Sequence, residues 1–218
     1  MTVLEAERAR LSDAFSEAGF VSVTDVIPDA ILEIRYYSSF NFVGARIRAY
    51  DAPRAYLTRE AASALLCASE ELGALGYFIK IYDGYRPQTA VDHFKEWAED
   101  LDATELKPYF YPDVDKSELF ARGYIAGRSS HSRGSAVDLT LVDMRTGLDV
   151  DMGGEFDFFG EISHAYQTKG LRSEQIENRA ILRRAMVNCG FEPLDEEWWH
   201  FRLKNEPYPD TYFDFPIA

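Results

Sequence analysis

Ser129-Ser-His-Ser-Arg-Gly-Ser-Ala-Val-Asp-Leu-Thr-Leu141 decides how the rest of this chain is read. His131 and Asp138 stand on either side of Gly134. Beyond the glycine the residues alternate. Ala136, Asp138 and Thr140 face one way, and Val137, Leu139 and Leu141 the other. A period of two predicts a half-buried strand. It places a carboxylate among small residues, where an unpaired charge is costly. A metal ion shared with His131 would neutralise it, if Gly134 turns the chain back. The plainer alternative is a surface turn, followed by a strand whose Asp is solvated or paired with an arginine.

Glu197-Trp-Trp-His200 supplies what the first stretch lacks. His200 completes a His-Asp-His set that suits zinc, one ion per chain, and leaves a fourth position open for water. A hydrolase needs a base beside that water, and Glu197 is the candidate. Three residues apart on a straight strand, Glu197 and His200 would point to opposite faces. The aromatic residues between and after them favour a strand, so Glu197 is expected at a bend entering it. Taken singly, Glu197 reads as a solvated loop acid and His200 as a core histidine; the first stretch is what changes the balance. Arg86 sits in Asp83-Gly-Tyr-Arg-Pro87, its position fixed by a turn and a proline. It is placed to stabilise an oxyanion, or else to pair structurally with Asp83. His93 and His164 read as structural or surface residues. No serine-nucleophile elbow or phosphate loop is present.

Outward from these stretches, the chain reads as one α+β domain over residues 1–218, with a small, largely antiparallel sheet packed by helices. A helix is expected over 2–18, opened by the capping box Thr2-x-x-Glu5. Strands are expected over 21–26, 32–37 and 77–82. Further helices are expected from Thr58 to Gly73 or Gly76, from Gln88 to about Leu101 with Pro87 in the first turn, and from Ser173 to Cys189. Segments 38–57 and 103–128 read as ordered connections that cap a pocket.

The formal net charge of −14 argues against nucleic acid and anionic membranes as partners. No apolar run approaches the roughly 20 residues needed to span a bilayer. The charged N-terminus lacks a signal peptide's apolar core, so a cytoplasmic location is expected. An oligomer stays open, because the sequence does not decide the oligomeric state. Cys67 and Cys189, two and far apart, are expected as reduced thiols.

The motifs Ser-x-His-x-x-Gly-x-Ala-x-Asp (Ser129–Asp138) and Glu-x-x-His (Glu197–His200) resemble the zinc D-alanyl-D-alanine dipeptidases of vancomycin resistance. These are M15 peptidases with the fold shared by hedgehog signalling domains. Asp83-Gly-Tyr-Arg-Pro87, Phe156-Asp-Phe158 and the ending Glu206-Pro-Tyr-Pro…Tyr-Phe-Asp-Phe-Pro216 extend the likeness over nearly the whole chain. The resemblance implies zinc held by His131, Asp138 and His200. It implies that Glu197 moves a proton from zinc-bound water to the leaving amine, and that Arg86 steadies the oxyanion. Tyr36 and Asp157 match positions that receive the dipeptide's amino group, and Ser129 a substrate contact. The implied substrate is a small D,D-dipeptide. Two alternatives stay open: a peptidoglycan D,D- or L,D-carboxypeptidase, and a zinc-dependent binding module without catalysis.

Overall fold

A computed structural model describes residue 10 and residues 14–218. The helix expected over 2–18 lies mostly outside the described residues; its end, 14–17, is helical, and Gly19 follows at φ +74°.

A five-stranded sheet carries the site, in the order β2-β4-β5-β7-β6. Its strands are β2 (Ile31–Leu32), β4 (Tyr77–Asp83), β5 (Ala136–Asp143), β6 (Phe191–Leu194) and β7 (Glu197–Leu203). Only β2 against β4 runs parallel; the other pairings are antiparallel. A separate ribbon pairs β1 (Phe20–Ser22) with β3 (Tyr56–Thr58). Beyond residues 14–17, the α-helices among the described residues are α1 (Val23–Val26), α2 (Arg59–Ala74), α3 (Gln88–Glu99), the short α4 (Lys107–Phe110) and α5 (Ser173–Asn188). This is the expected α+β architecture with a largely antiparallel sheet. No described helix is long and apolar enough to cross a membrane.

Sequence and local structure agree where caps are explicit. The Thr58 hydroxyl accepts from the Ala61 N–H at the start of α2, satisfying one of the amides that a helix start leaves free. Pro87 is the N-cap of α3 rather than part of its first turn; its fixed φ suits either place.

Three expectations are corrected. The strand over 21–26 ends at Ser22, and Val23–Val26 forms a helical turn. The buried Val23 donates its N–H to Ala55 O, so tertiary docking overrides β-branched propensity. The strand over 32–37 is only Ile31–Leu32. After it, Tyr37 and Ser38 donate back to Ile34 and Arg35 carbonyls, and this turn sends Tyr36 into the core. Finally, β5 is not half-buried. Every position but its last is buried, because both faces of the sheet are covered.

The thiols are also corrected. Cys67 of α2 and Cys189, the C-cap of α5, form a disulfide with Cα atoms 5.9 Å apart. Packing of the two helices joins residues 122 apart in the chain, which spacing alone does not reveal.

Aromatic packing ties down the first of the two connections. The Phe42 ring lies 4.9 Å from Phe94, 5.1 Å from Trp97 and 5.2 Å from Phe159. Contacts of this kind add to burial. They tie segment 38–57 to α3 and to the loop after β5. Phe42 from the first connection and Tyr124 and Ile125 from the second line the cleft beside the sheet.

Candidate active site

Register builds the site before any side-chain chemistry does. Asp138 of β5 pairs with Asp83 of β4 on one side and His200 of β7 on the other. Cross-strand partners share a face of the sheet, so these three side chains form one row. The β4 side needs an irregularity to reach this register. Ile81 pairs with Leu139, yet Asp83 pairs with Asp138, leaving Tyr82 as an extra residue. Such a bulge re-aims side chains near functional sites.

His131 reaches the row from a different element. Ser130–Arg133 is a short 3-10 turn, capped by the Ser129 hydroxyl, which accepts from the His131 N–H at 3.3 Å. Gly134 ends the turn at φ +79° and starts the run into β5. The left-handed conformation there favours glycine. A Cβ at this position would collide with the Phe20 ring. The chain therefore does turn back at Gly134, bringing His131 over Asp138.

Three atoms converge. His131 Nε2 lies 3.0 Å from His200 Nδ1 and 3.2 Å from Asp138 Oδ1, and His200 Nδ1 lies 3.0 Å from the same Oδ1. All three side chains are buried. His131 Nδ1 stands 2.7 Å from Gly84 O. A carbonyl only accepts, so the proton is on Nδ1, and Nε2 turns a bare lone pair into the triangle. Asp138 Oδ1 brings another lone pair. The single ring proton that His200 can offer does not satisfy three such edges. A cation does. Ligand atoms about 2 Å from one tetrahedral zinc lie about 3.3 Å from each other, close to these spacings. The residues present thus fit a zinc ion.

Electrostatics follow from burial and crowding. Burial works against the charge of Asp138, but the two imidazoles outweigh it and hold the carboxyl well below the usual range. Glu197, 31% exposed, has its Oε2 3.8 Å from His200 Nδ1. Burial, aided by Asp138, raises its pKa against the pull of His200 and Arg86. That is the direction a general base needs. Glu197 and His200 approach each other because β7 is irregular: Pro193 pairs with Phe201, but Leu194 pairs with Glu197. The expected bend at Glu197 is this break in the ladder.

Arg86 pairs with Asp83, as one of its sequence readings expected, and the same side chain extends towards Asp138. Its Nε donates to Asp83 Oδ2 at 2.9 Å, while Nη2 lies 3.6 Å from Asp138 Oδ2 and 3.5 Å from the Tyr36 hydroxyl. The Tyr36 hydroxyl lies 3.2 and 3.0 Å from the two Asp157 oxygens, to which it donates. Asp157 is buried and sits at φ +61°. Burial first, then the charges of Asp138 and Glu197, push its pKa well up against Arg86. Tyr37, by contrast, is exposed. Tyr36, Arg86, Asp138, Asp157, Glu197 and Ser129 line one cleft of about 460 Å³.

Three partners were not singled out from sequence: the Gly84 carbonyl, the Tyr50 hydroxyl, which donates to Asp83 Oδ1 at 2.6 Å, and Ser130, whose hydroxyl lies 3.3 Å from His200 Nε2. Ser130 lies next to a singled-out histidine, but neither Gly84 nor Tyr50 carries a sequence signal of its own. His93 and His164 lie outside the cluster. His93 Nδ1 instead accepts from the Arg48 N–H.

Three convergent donors with a carboxylate and a guanidinium beside them, open to a cleft, have the make-up of a metal-dependent hydrolase site. The chain belongs to the peptidase M15 family of D-Ala-D-Ala dipeptidases, which it matches over residues 16–218. It is 41% identical to a D-alanyl-D-alanine dipeptidase of Enterococcus faecium over 92% of this chain and 99% of that one. A D-alanyl-D-alanine dipeptidase of Streptomyces coelicolor is also 41% identical, over 91% and 98%. One of Escherichia coli is 33% identical, over 84% and 83%. Among solved structures, a vancomycin-resistance D,D-pentapeptidase in complex with Zn(II) superposes with a TM-score of 0.40 at 19% identity, covering 68% of this chain and 72% of that one.

Proposed function

We propose that residues 1–218 form one zinc dipeptidase domain that hydrolyses D-alanyl-D-alanine, or a close D,D-dipeptide, to free D-amino acids. The observation that carries this reading is the convergence of His131 Nε2, Asp138 Oδ1 and His200 Nδ1 within 3.2 Å of each other, with Glu197 and Arg86 beside them. Family membership and the names of the relatives support the substrate.

When bound, one zinc ion supplies a more acidic water and polarises the scissile carbonyl. Glu197 takes the proton of the attacking water and passes it to the leaving amine, and its raised pKa in the metal-free protein favours taking that proton. Arg86 turns Nη2 towards the reacting carbonyl, where it stabilises negative charge as the tetrahedral intermediate forms. Its Nε bond to Asp83 fixes the guanidinium before substrate arrives. Asp157, held by Tyr36, receives the dipeptide's ammonium. Ser129 contacts the substrate from the other wall. An ammonium docked on a buried carboxylate favours substrates with a free amino end at that position, which a longer peptide cannot present there.

The test is release of D-alanine from D-Ala-D-Ala by zinc-loaded, chelated and Glu197→Ala protein, with L-Ala-L-Ala and a tripeptide ending in D-Ala-D-Ala in parallel. The expected result is turnover of the D,D-dipeptide alone, abolished by chelation and reduced about 10²–10⁴-fold in Glu197→Ala. Activity mainly on the tripeptide would make the protein a carboxypeptidase. Bound zinc without turnover would make it a binding module.

A further inference from the structure

We infer that Ser130 is a positioning residue for the metal site: its hydroxyl sets the orientation of the His200 ring and accommodates the tautomer that a cation requires. The inference rests on the metal reading of the His131, Asp138 and His200 cluster.

The two histidines of the cluster are supported differently. His131 has a carbonyl behind it, Gly84 O, 2.7 Å from Nδ1. A carbonyl cannot donate, so His131 has one tautomer whether or not a cation is present. His200 has a hydroxyl behind it, with Ser130 Oγ 3.3 Å from Nε2. A hydroxyl both donates and accepts.

The difference matters because the inner nitrogen of His200 has two partners of opposite demand. Nδ1 lies 3.0 Å from Asp138 Oδ1, an acceptor that favours a proton on Nδ1. It also lies 3.0 Å from His131 Nε2, which carries no proton. Without a cation, Nδ1–H donates to Asp138, and Nε2 accepts from the Ser130 hydroxyl. With a cation, Nδ1 must present its lone pair, so the proton moves to Nε2 and is donated to Ser130 Oγ. Ser130 serves both arrangements by rotating its hydroxyl. The loaded arrangement is the pattern in which a ligand imidazole gives its outer N–H to a partner that fixes the ring.

Position supports the assignment. Ser130 opens the same 3-10 turn that carries His131, and that turn is capped by Ser129 and closed by Gly134. One rigid turn therefore delivers one ligand and the outer partner of another. His200, on β7, has its backbone fixed by pairing with Asp138. Its ring is left to be set by the outer contact.

The experiment measures zinc dissociation constants by competition with a chelator for wild type, Ser130→Ala, Ser130→Thr and Ser130→Val. Melting of the metal-free proteins is followed alongside. Loss of the hydroxyl in Ser130→Ala is expected to weaken zinc binding about 10–100-fold. Metal-free melting should fall only slightly, by the loss of the one hydrogen bond the hydroxyl gives Nε2 there, and Ser130→Thr should recover most of the affinity. Thr and Val have nearly the same shape, so that pair isolates the hydroxyl if the alanine variant folds poorly. Equal zinc affinities for Thr and Val, or for wild type and Ala, would overturn the role of Ser130 alone. Failure of the wild-type protein to bind zinc would overturn the metal reading beneath it as well.

Discussion

Arg86 and Asp83 are joined side by side, Nε to Oδ2 at 2.9 Å, and the same guanidinium extends Nη2 to within 3.6 Å of Asp138 Oδ2. The Arg86 guanidinium also lies over the Tyr36 ring, 4.8 Å from its centre. One planar group is thus held by a carboxylate and an aromatic face on the wall of the cleft. Lysine cannot reproduce that fork. Arg86→Lys and Arg86→Ala are both expected to lower kcat by about 10²–10³-fold, with a smaller change in KM. Steady-state kinetics on D-Ala-D-Ala check this. A raised KM at unchanged kcat would place Arg86 in ground-state binding instead.

Asp157 gives a prediction with two signs. As the ammonium receptor, its replacement in Asp157→Asn should raise KM for the free dipeptide about tenfold, as expected for losing a charge-assisted contact. The N-acetylated dipeptide should be unaffected; equal losses on both substrates would mean that Asp157 does not read the amino end. Stability moves the other way. Burial and the charges of Asp138 and Glu197 raise its pKa above 3.8 in the folded metal-free protein. A raised folded pKa contributes stability below the unfolded pKa, and that contribution is lost as pH rises through the folded value. At neutral pH, metal-free Asp157→Asn should therefore melt no lower than wild type. A clearly lower melting temperature would show that the Tyr36 bond outweighs the burial of charge.

Gly134 should tolerate no side chain. Its φ of +79° and the Phe20 ring beside it penalise Gly134→Ala twice. The expected loss is roughly 2 kcal/mol or more in urea unfolding. Zinc affinity should fall too, because the same glycine sets His131 over Asp138. A stability change within about 0.5 kcal/mol would mean that the turn relaxes freely.

The Cys67–Cys189 bond closes a span of 122 residues. Disulfides typically stabilise by about 2–4 kcal/mol, and closing a loop this long places the expectation at or above the upper end, chiefly through the unfolded state. Reduction, or the double Cys→Ser variant, should lower stability by that order without altering kcat, since α2 and the end of α5 lie away from the cleft. In a reducing compartment the protein would work from the less stable form. Thiol titration of the purified protein, with and without reductant, is the first check. Two free thiols in the unreduced protein would remove the bond from the account.

The sequence by itself determined the elements whose signals are local. Thr58 capped its helix, the alternation after Gly134 made a strand, and the glycine turned the chain as its position required. The proximity of His131, Asp138, His200, Glu197 and Arg86 was legible only from their short motifs taken together, since Glu197 and His200 singly read as a loop acid and a core histidine. Tertiary structure decided the rest. The extra residue in β4 that brings Asp83 opposite Asp138, the break in β7 that lets Glu197 approach His200, and the burial of both faces of β5 all depend on pairing and covering by distant segments. The same holds for the helical turn at Val23, for the inward turn of Tyr36 onto Asp157, and for the joining of Cys67 to Cys189. Propensity and period report on a residue's neighbours along the chain. Register, burial and cross-links report on neighbours in space, and those are set only when the whole sheet closes over its core.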